Sequence, residues 1–217
     1  MQTNFKSGTP AKICGLSTRA ALDAALDGGA AFVGLMSFAA SPRHVSIAEA
    51  ANLARLARGR AKIVVVTVDP DDELVSSLLA EVGPDFVQLH GAESPRRVRE
   101  IATRLSVIKA MPVSGPGDLA DADAYEEVAA HLMFDAEAPA DASRPGGLGE
   151  PFDWTLLAER RFRRPWFLAG GLNPDNVADA IRASGAPMVD VSSGVEGASG
   201  LKQPALITRF LAAVRRA

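Results

Sequence analysis

Eight short apolar segments recur along the chain, and each is followed by a stretch of helical character rich in Ala, Leu and Arg. The segments are nearly continuous runs of Val, Ile, Leu and Phe, which is typical of strands in a parallel sheet covered on both faces. They predict strands at residues 12–14, 32–36, 62–68, 86–90, 107–111, 132–135, 166–169 and 188–192. Eight strand–helix units in 217 residues, with no linker between them, predict one α/β domain over residues 1–217. A single-domain (β/α)8 TIM barrel fits this order best, with residues 1–10 as a loose N-terminal extension, and an open eight-stranded sheet is the structural alternative.

Capping residues and glycines predict where the helices begin and end. Ser46 and Glu49 have the spacing of a capping box, in which each side chain bonds the backbone N–H of the other. A capping side chain precedes a proline at three further places, Asp69-Pro70, Ser94-Pro95 and Asn173-Pro174. Glycines are expected to end helices at Gly28, Gly59, Gly83 and Gly185.

Composition restricts the classes of function that the chain can have. A net charge of −3 argues against a general nucleic-acid binder, which would carry a basic face. The longest uncharged stretch, residues 28–42, is too short to cross a bilayer as a helix, and the polar N-terminus is unlike a secretory signal. Cys14 is the only cysteine, so no disulfide can form within the chain. We therefore expect a cytoplasmic protein that binds neither nucleic acid nor membranes.

Two glycine-bearing loops follow the last two predicted strands. In a (β/α)8 barrel the chemistry lies at the carboxyl ends of the strands, and phosphate is often held by the loops after strands 7 and 8. Glycines allow backbone N–H groups to approach an anion closely. The alternative is that the loops are tight turns, but their paired position favours a phosphate site made by Gly170, Gly171, Ser192, Ser193 and Gly194.

The sole cysteine is predicted at the carboxyl end of strand 1. A lone cysteine is most often an inert small hydrophobe. Lys12 lies two residues before Cys14, hence on the same side of the strand, and a nearby ammonium group favours the reactive thiolate. A buried lysine needs a partner, and Asp190 on the adjacent strand 8 is the expected one.

Asp135 ends the apolar run of strand 6. It either caps a loop or acts as a general acid in a partly dry site. Strands 1 and 6 are three steps apart in a barrel whose backbone radius is roughly 7–8 Å, so Cys14 and Asp135 would leave a gap of roughly 7–8 Å. A sugar-sized group fits such a gap, with a base on one side and an acid on the other.

Arg43 and His90 are the remaining candidates at the strand ends. Arg43 is either a solvated loop residue or a clamp for a carboxylate, which its planar guanidinium matches. His90 is either a structural histidine or a polar group that supports the site. The three histidines are scattered, the carboxylates lack metal-ligand spacing, and no nucleotide-binding glycine motif occurs, so we expect neither metal nor cofactor. Residues 135–152, rich in Gly and Pro, are expected to form a mobile functional loop.

Six motifs together resemble the phosphoribosylanthranilate isomerase family. They follow one another in order over nearly the whole chain, and although each is weak alone, the set is specific. The motifs are Lys12-Ile13-Cys14-Gly15-Leu16, Ser41-Pro42-Arg43-His44-Val45-Ser46, Gln88-Leu89-His90-Gly91, Gly146-Gly147-Leu148-Gly149 with Phe152-Asp153-Trp154, Ala169-Gly170-Gly171-Leu172-Asn173-Pro174-Asp175-Asn176-Val177, and Val189-Asp190-Val191-Ser192-Ser193-Gly194-Val195-Glu196.

The resemblance implies an Amadori rearrangement in tryptophan biosynthesis, in which N-(5-phosphoribosyl)anthranilate becomes the carboxyphenylamino-deoxyribulose phosphate. It implies that Cys14 is the general base at sugar C2′ and that Asp135 is the general acid at the ring oxygen. It further implies that Arg43 holds the anthranilate carboxylate, that the two glycine-bearing loops hold the phosphate, and that no cofactor is used. Members of the family are commonly monomeric, so a monomer is expected.

Other functions remain open at this stage. An indole-glycerol-phosphate synthase would need a catalytic lysine and glutamates at strand ends, and a pentose-phosphate epimerase would need paired metal-binding residues. A non-catalytic barrel that binds a phosphorylated metabolite is the alternative outside the enzymes.

Overall fold

The computed structural model describes residues 8–137 and 152–217. Within them eight parallel strands close into a barrel in the order β1 to β8, each hydrogen-bonded to the next and β8 to β1. The predicted barrel is therefore confirmed, and the open sheet is excluded. The strands are β1 Ala11–Ile13, β2 Phe32–Met36, β3 Lys62–Thr67, β4 Phe86–Leu89, β5 Ser106–Val113, β6 His131–Ala136, β7 Trp166–Leu168 and β8 Met188–Val191.

Helices alternate with the strands and cover the outside of the barrel. They are α1 Arg19–Asp27, α2 Ile47–Ala57, α3 Asp72–Ser77, α4 Pro95–Ala102, α5 Ala122–Glu126, α6 Thr155–Ala158, α7 Val177–Ser184 and α8 Pro204–Val214. A π-helical turn, Leu78–Val82, extends α3, and 3-10 turns lie at Pro116–Leu119 and Ser193–Val195. In the part of the chain that is described, no helix is both long and apolar enough to cross a membrane.

Several predicted helix ends are confirmed. Ser46 and Glu49 form the capping box of α2, and the Ser94 side chain caps α4 with Pro95 at its first position. Gly28 and Gly185 directly follow α1 and α7, and Gly83 follows the π-helical turn. Gly59 comes one residue later than the position expected, because Arg58 is the C-cap of α2.

Two predicted helix starts are wrong. The Asp69 side chain accepts a hydrogen bond from the backbone N–H of Ala92 and thus ties two loops together, while Asp71 caps α3. Asn173 folds its own loop by accepting from the N–H groups of Asp175 and Asn176, and α7 begins only after Asn176. In both cases the side-chain oxygen accepts from backbone N–H groups of a loop instead of those of a helix start. Either set of N–H groups satisfies the hydrogen-bonding capacity of the side chain.

Two apolar layers hold the barrel together. The larger lies between strands and helices. The smaller fills the inside of the barrel, and its residues on β2, β3, β5, β6, β7 and β8 alternate with those of the larger layer, as the two-residue period of a strand requires. Its members are Phe32, Val64, Ile108, Ala110, Met133, Phe167, Ala169 and Met188. The barrel interior is thus a packed core that supports the site at its carboxyl end.

Candidate active site

A cavity opens at the carboxyl end of the barrel. Cys14 from the end of β1 and Asp135 from β6 both line it, so the two predicted reactive groups share one cavity. Of the residues predicted to bind an anion after β7 and β8, Gly170, Gly171, Ser192 and Ser193 line the same cavity, whereas Gly194 does not. The predicted carboxylate clamp Arg43 and the supporting residues His90 and Asp190 line it as well. The sequence prediction that distant segments converge on one cavity is therefore confirmed.

The register of the barrel brings Lys12 and Asp190 together. Lys12 on β1 lies directly opposite Asp190 on β8, and Lys12 Nζ is 2.8 Å from Asp190 Oδ1. Lys12 is fully buried, so the carboxylate is the partner that its charge requires. The predicted pair is confirmed. Burial opposes the charge of Lys12, but Asp190 and Cys14 outweigh it and raise the pKa of Lys12.

The electrostatics of Cys14 differ from the sequence expectation. Cys14 follows β1 by one residue rather than ending it, and its side chain is buried with 4% exposure. Burial raises the pKa of the Cys14 thiol, Lys12 and Lys202 lower it, and Asp190 raises it again, so that it lies above its ordinary value. Lys12 acts in the predicted direction, but desolvation and the neutralising effect of Asp190 prevail.

Gly34 faces the thiol from β2, and sequence reasoning missed it. A Cβ placed on Gly34 would lie 3.0 Å from both Sγ and Cα of Cys14 and 3.2 Å from Cε of Lys12. The absence of a side chain at this position leaves the space in which the thiol and the ammonium group lie. A glycine inside a strand is a signal of such a close approach.

Arg43 is held by an ion pair that the sequence did not reveal. Its Nε is 2.5 Å from Glu196 Oε1, and its other contact with this carboxylate, from an Nη atom to Oε2, is 2.9 Å. Lys202 contacts the same carboxylate oxygen, with Nζ 2.7 Å from Glu196 Oε1 and 2.8 Å from the backbone oxygen of Ser192. Arg43, Lys202 and Glu196 thus form a cluster with two cations for one carboxylate, next to Gly15 and the β8 loop.

The cluster could not be found from residue spacing. Glu196 and Lys202 meet because the chain turns back after the 3-10 turn Ser193–Val195 and forms an antiparallel bridge between these two residues. Burial lowers the pKa of Lys202, and this effect exceeds the opposing one of Glu196. For Glu196 burial raises the pKa, but Arg43 and Lys202 outweigh it, and the pKa is lowered.

The two predicted phosphate loops are in direct contact. A Cβ on Gly194 would collide with the carbonyl oxygen of Leu172, so glycine is needed for the β8 loop to lie against the β7 loop. Gly170 and Gly171 both have positive φ, 84° and 66°, a conformation that glycine adopts at low cost. A Cβ on Gly170 would also meet the backbone nitrogen of Ala136 at 2.5 Å.

The Asp135 carboxyl group has a histidine partner. Nε2 of His90 is 3.2 Å from Asp135 Oδ2, and Nδ1 of the same ring is 2.9 Å from Gln88 Nε2. His90 and Asp135 also line a second, wider cavity of about 1260 Å³ next to the first, whose wall includes Tyr125 and Lys109. The acid candidate therefore borders two adjoining cavities.

Two further observations concern the remaining expectations. Within residues 8–137 and 152–217, no group of three His, Cys, Asp or Glu side chains is placed to hold a metal ion. Most of the predicted mobile loop, with the motif Gly146-Gly147-Leu148-Gly149, lies outside the described residues, as do residues 1–7 of the predicted N-terminal extension.

Reactive side chains gathered at the carboxyl ends of eight parallel strands are the arrangement found in (β/α)8-barrel enzymes, and that is the class of this protein. Comparison with known proteins narrows the class. The sequence profile described as N-(5'phosphoribosyl)anthranilate (PRA) isomerase matches residues 11–213. A protein of Caulobacter vibrioides named N-(5'-phosphoribosyl)anthranilate isomerase is 57% identical over 210 residues, which are 95% of this chain and 96% of that protein.

Solved structures agree with the sequence comparison. The crystal structure of phosphoribosyl anthranilate isomerase from Thermotoga maritima has a TM-score of 0.87 and 34% identity, covering 96% of this chain and 100% of that one. A structure of such an isomerase in complex with reduced 1-(o-carboxyphenylamino)-1-deoxyribulose 5-phosphate has a TM-score of 0.84 and 32% identity, with the same coverage. The chain belongs to the N-(5'-phosphoribosyl)anthranilate isomerase family.

Proposed function

We propose that this protein converts N-(5'-phosphoribosyl)anthranilate to 1-(2-carboxyphenylamino)-1-deoxyribulose 5-phosphate in tryptophan biosynthesis, without a cofactor. The observation that carries the proposal is the single cavity in which Cys14, Asp135 and Arg43 meet the two glycine-bearing loops. Family membership supports the reaction, and the cavity contains a group for each of its chemical needs. The reaction is an Amadori rearrangement, so it needs an acid, a base and binding groups for two anions.

The acid step is assigned to Asp135. A proton passes from its carboxyl group to the ring oxygen of the ribose, and the bond between C1′ and that oxygen breaks. The nitrogen lone pair then forms the C=N bond of an open-chain iminium. Asp135 suits this role because it is 7% exposed and borders the first cavity from β6, across the barrel from β1.

The base step is assigned to Cys14. Its thiolate takes the proton from C2′, the electron pair of that bond forms the C1′=C2′ double bond, and the π pair of the C=N bond returns to nitrogen, which gives an enolamine. Proton transfer to C1′ with loss of the proton from the C2′ hydroxyl then yields the ketone. Lys12 and Lys202 are the two cations that stabilise the thiolate against its burial.

Binding of the substrate is assigned to the two glycine-bearing loops and to Arg43. Ser192, Ser193, Gly170, Gly171 and Gly194 belong to the two loops proposed to hold the phosphate. Arg43 is proposed to meet the anthranilate carboxylate while its other side stays on Glu196. Because the net charge of the chain is −3, the two anions must be attracted by these local groups and not by the protein as a whole.

A turnover assay with matched binding measurements tests the proposal. Loss of the fluorescence of phosphoribosylanthranilate would be followed with the wild type, Cys14→Ala and Asp135→Asn. We expect wild-type turnover and a fall in kcat of at least about 10²-fold in each variant, since general acid or base catalysis contributes that much. Calorimetric titration with the reduced product analogue should show binding in all three.

The same data distinguish the proposed isomerase from a non-catalytic binding protein. A barrel that only binds a phosphorylated metabolite would bind the analogue but show no turnover even as the wild type. Wild-type protein that neither turns over the substrate nor binds the analogue would refute both functions.

A further inference from the structure

Glu196 holds the guanidinium group of Arg43 by one edge. Its Oε1 lies 2.5 Å from Nε of Arg43, and its Oε2 lies 2.9 Å from Nη2. A guanidinium group carries its N–H donors in a fixed plane, and Nε with Nη2 forms one of the edges that match a carboxylate. A second carboxylate can therefore be bound in a bidentate way only through the other edge, which the two Nη groups form.

The aliphatic stem of Arg43 is confined as well. A Cβ placed on Gly15 would lie 2.7 Å from Cδ and 3.4 Å from Cγ of Arg43, so the backbone next to Cys14 packs closely against the stem. The side chain is thus held at its stem and at one edge of its head. Because a free arginine side chain has much rotamer freedom to lose, an arginine that is already held binds a ligand at a lower entropic cost.

Glu196 is itself held in place by Lys202. Nζ of Lys202 lies 2.7 Å from Glu196 Oε1, 2.8 Å from the backbone oxygen of Ser192 and 3.1 Å from Ser192 Oγ, so each of its three N–H donors has an acceptor. The Lys202 side chain is 3% exposed, and the backbones of Lys202 and Glu196 are joined by the antiparallel bridge. The carboxylate that holds Arg43 therefore has a fixed position of its own.

The charge of Glu196 does not favour the binding of an anion. Burial raises the pKa of Glu196, but Arg43 and Lys202 lower it by more, so the carboxylate stays charged at neutral pH. Of the three side chains in this cluster, all of them described, only that of Arg43 lines the cavity. A negative charge behind the clamp repels a second carboxylate. A favourable contribution of Glu196 to binding therefore has to come from the position that it gives to Arg43.

We propose that Glu196 is a positioning residue of the carboxylate clamp, which holds Arg43 by one edge so that the other edge meets the carboxylate of the substrate. The inference rests on the proposed function, in which Arg43 binds the anthranilate carboxylate. It adds a determinant of substrate choice, because the position of Glu196 then sets how strongly the enzyme favours an aromatic ring that carries a carboxylate. Glu196 acts through Arg43 and does not touch the reacting atoms.

Two ligands that differ only in the carboxylate measure this effect without turnover. One is the reduced product analogue, and the other is its phenylamino counterpart, made with aniline in place of anthranilate. Calorimetric titration gives the dissociation constant of each. The constant of the phenylamino ligand divided by that of the analogue is the carboxylate preference, which reports the binding of the carboxylate alone.

Glu196→Asp separates position from charge. It keeps the negative charge but withdraws the carboxylate from Arg43 by the length of one methylene group. We expect the carboxylate preference to fall about tenfold, as for the loss of one charge-assisted hydrogen bond, with the affinity for the phenylamino ligand within about twofold. The KM of the substrate should rise by a similar factor, with kcat within about twofold.

Glu126→Asp is the matched control. Glu126 is a buried glutamate that binds an arginine, Arg163, through Nε, as Glu196 binds Arg43. It is the last residue of α5 and precedes β6, so it lies at the amino end of the barrel, away from the cavity. Glu126→Asp should keep the wild-type carboxylate preference, KM and kcat.

A double-mutant cycle shows whether Glu196 acts through Arg43. In the Arg43→Ala background, Glu196→Asp should change the carboxylate preference by no more than about twofold, because no clamp remains to be positioned. Glu196→Gln is a second variant, which keeps the length of the side chain but offers only one acceptor atom to the guanidinium edge. Loss of position lowers the carboxylate preference in this variant, whereas loss of charge repulsion alone would raise it.

The outcomes distinguish this inference from the proposed function. An unchanged carboxylate preference in Arg43→Ala would remove the clamp itself. A reduced preference in Arg43→Ala, with an unchanged one in Glu196→Asp or a higher one in Glu196→Gln, would overturn the role of Glu196 alone. Equal weakening of both ligands in Glu196→Asp would mark Glu196 as a support of the β8 loop, and a further fall in the Arg43→Ala background would show that it does not act through Arg43. Either result would also overturn the proposal.

Discussion

The thiol of Cys14 is the residue on which the chemistry depends, and its surroundings make a pH prediction. Burial raises its pKa above the ordinary value against the effect of Lys12 and Lys202. Since the thiolate forms only as the pH passes the pKa, alkylation by iodoacetamide should reach its half-maximal rate at a higher pH than for an ordinary thiol. Cys14 is the only cysteine, so mass spectrometry reads its alkylation alone. A midpoint below the ordinary thiol value would contradict the electrostatics described here.

Gly34 makes a second prediction at the residue scale. Gly34→Ala places a methyl group 3.0 Å from Sγ of Cys14. Because a displacement of about 1 Å can cost about 10²-fold in rate, we expect kcat to fall by roughly that factor. The control is Gly115→Ala, where a Cβ meets nothing within 4 Å. Equal kcat values for the two variants would show that the space beside the thiol is not needed.

Arg43 should affect binding more than chemistry. Arg43→Ala removes charge-assisted hydrogen bonds worth about 1.5–3 kcal/mol, so KM should rise by roughly 10- to 100-fold with kcat changed much less. Arg43→Lys keeps the charge but loses the planar geometry of the guanidinium group. Its KM should lie between those of the wild type and of Arg43→Ala. Steady-state kinetics measure both, and an unchanged KM in Arg43→Ala would refute the clamp.

Residue spacing predicted part of this site and could not predict the rest. The two-residue period of a strand placed Lys12 and Cys14 on one side, and the order of strands placed Asp190 next to them. Spacing carries no information on desolvation, and for this reason the sequence predicted the effect of Lys12 on the pKa of Cys14 but not the net rise of that pKa. Glu196 and Lys202 meet through an irregular turn, which has no period to detect.

At the scale of elements, the β7 and β8 loops have to lie against each other to form an anion site. Gly194→Ala would push the β8 loop away from the Leu172 carbonyl group and separate the loops. Loss of one or two hydrogen bonds to phosphate corresponds to about a tenfold rise in KM. Inhibition by inorganic phosphate should weaken in parallel, and both are measured by steady-state kinetics.

The matched control for this element is Gly117→Ala. Its Cβ also meets nothing within 4 Å, and Gly117 lies in the 3-10 turn after β5. If Gly194→Ala kept wild-type KM and phosphate inhibition as Gly117→Ala does, contact between the β7 and β8 loops would not be required for binding.

Element boundaries show how far local sequence determines this fold. Strand positions followed from apolar runs, and β2 has the predicted limits. Predicted helix starts were wrong where several neighbouring polar residues can each cap the helix. In Asp69-Pro70-Asp71-Asp72 each aspartate can cap a helix, and Asp69 is instead used by a contact with Ala92, which is 23 residues away. Such choices depend on tertiary contacts that a local pattern does not contain.

At the scale of the whole molecule, a partly buried histidine, His131, couples stability to pH. Burial, and then Arg164, lower the pKa of His131 to about 4, while the unfolded chain has a value of about 6.5. The unfolded state thus binds a proton first as the pH falls, so His131 destabilises the fold progressively from about pH 6.5 towards pH 4. The loss is at most about 3 kcal/mol.

Urea unfolding at several pH values measures this coupling. In His131→Leu the free energy of unfolding should fall less between pH 6.5 and pH 4 than in the wild type. His44→Gln, at an exposed position, is the control and should follow the wild type. A wild-type pH dependence in His131→Leu would contradict the assignment.

The surface of the described residues bears on assembly. Its exposed large apolar side chains are those of Leu56, on α2, and Leu201, in the turn before α8, and they are far apart in sequence. Isolated apolar side chains do not make an association surface. The expectation of a monomer remains a prediction, and sedimentation velocity should give a mass near 22.7 kDa.

The central claim is that Cys14 removes the C2′ proton of a sugar whose ring Asp135 opens. Single-turnover rates with substrate carrying either protium or deuterium at C2′ test it most directly. The account predicts a slower rate with deuterium in the wild type, and in Cys14→Ala a fall of at least about 10²-fold in the rate from the bound state. Conversion by Cys14→Ala at the wild-type rate, with the same isotope effect, would contradict it.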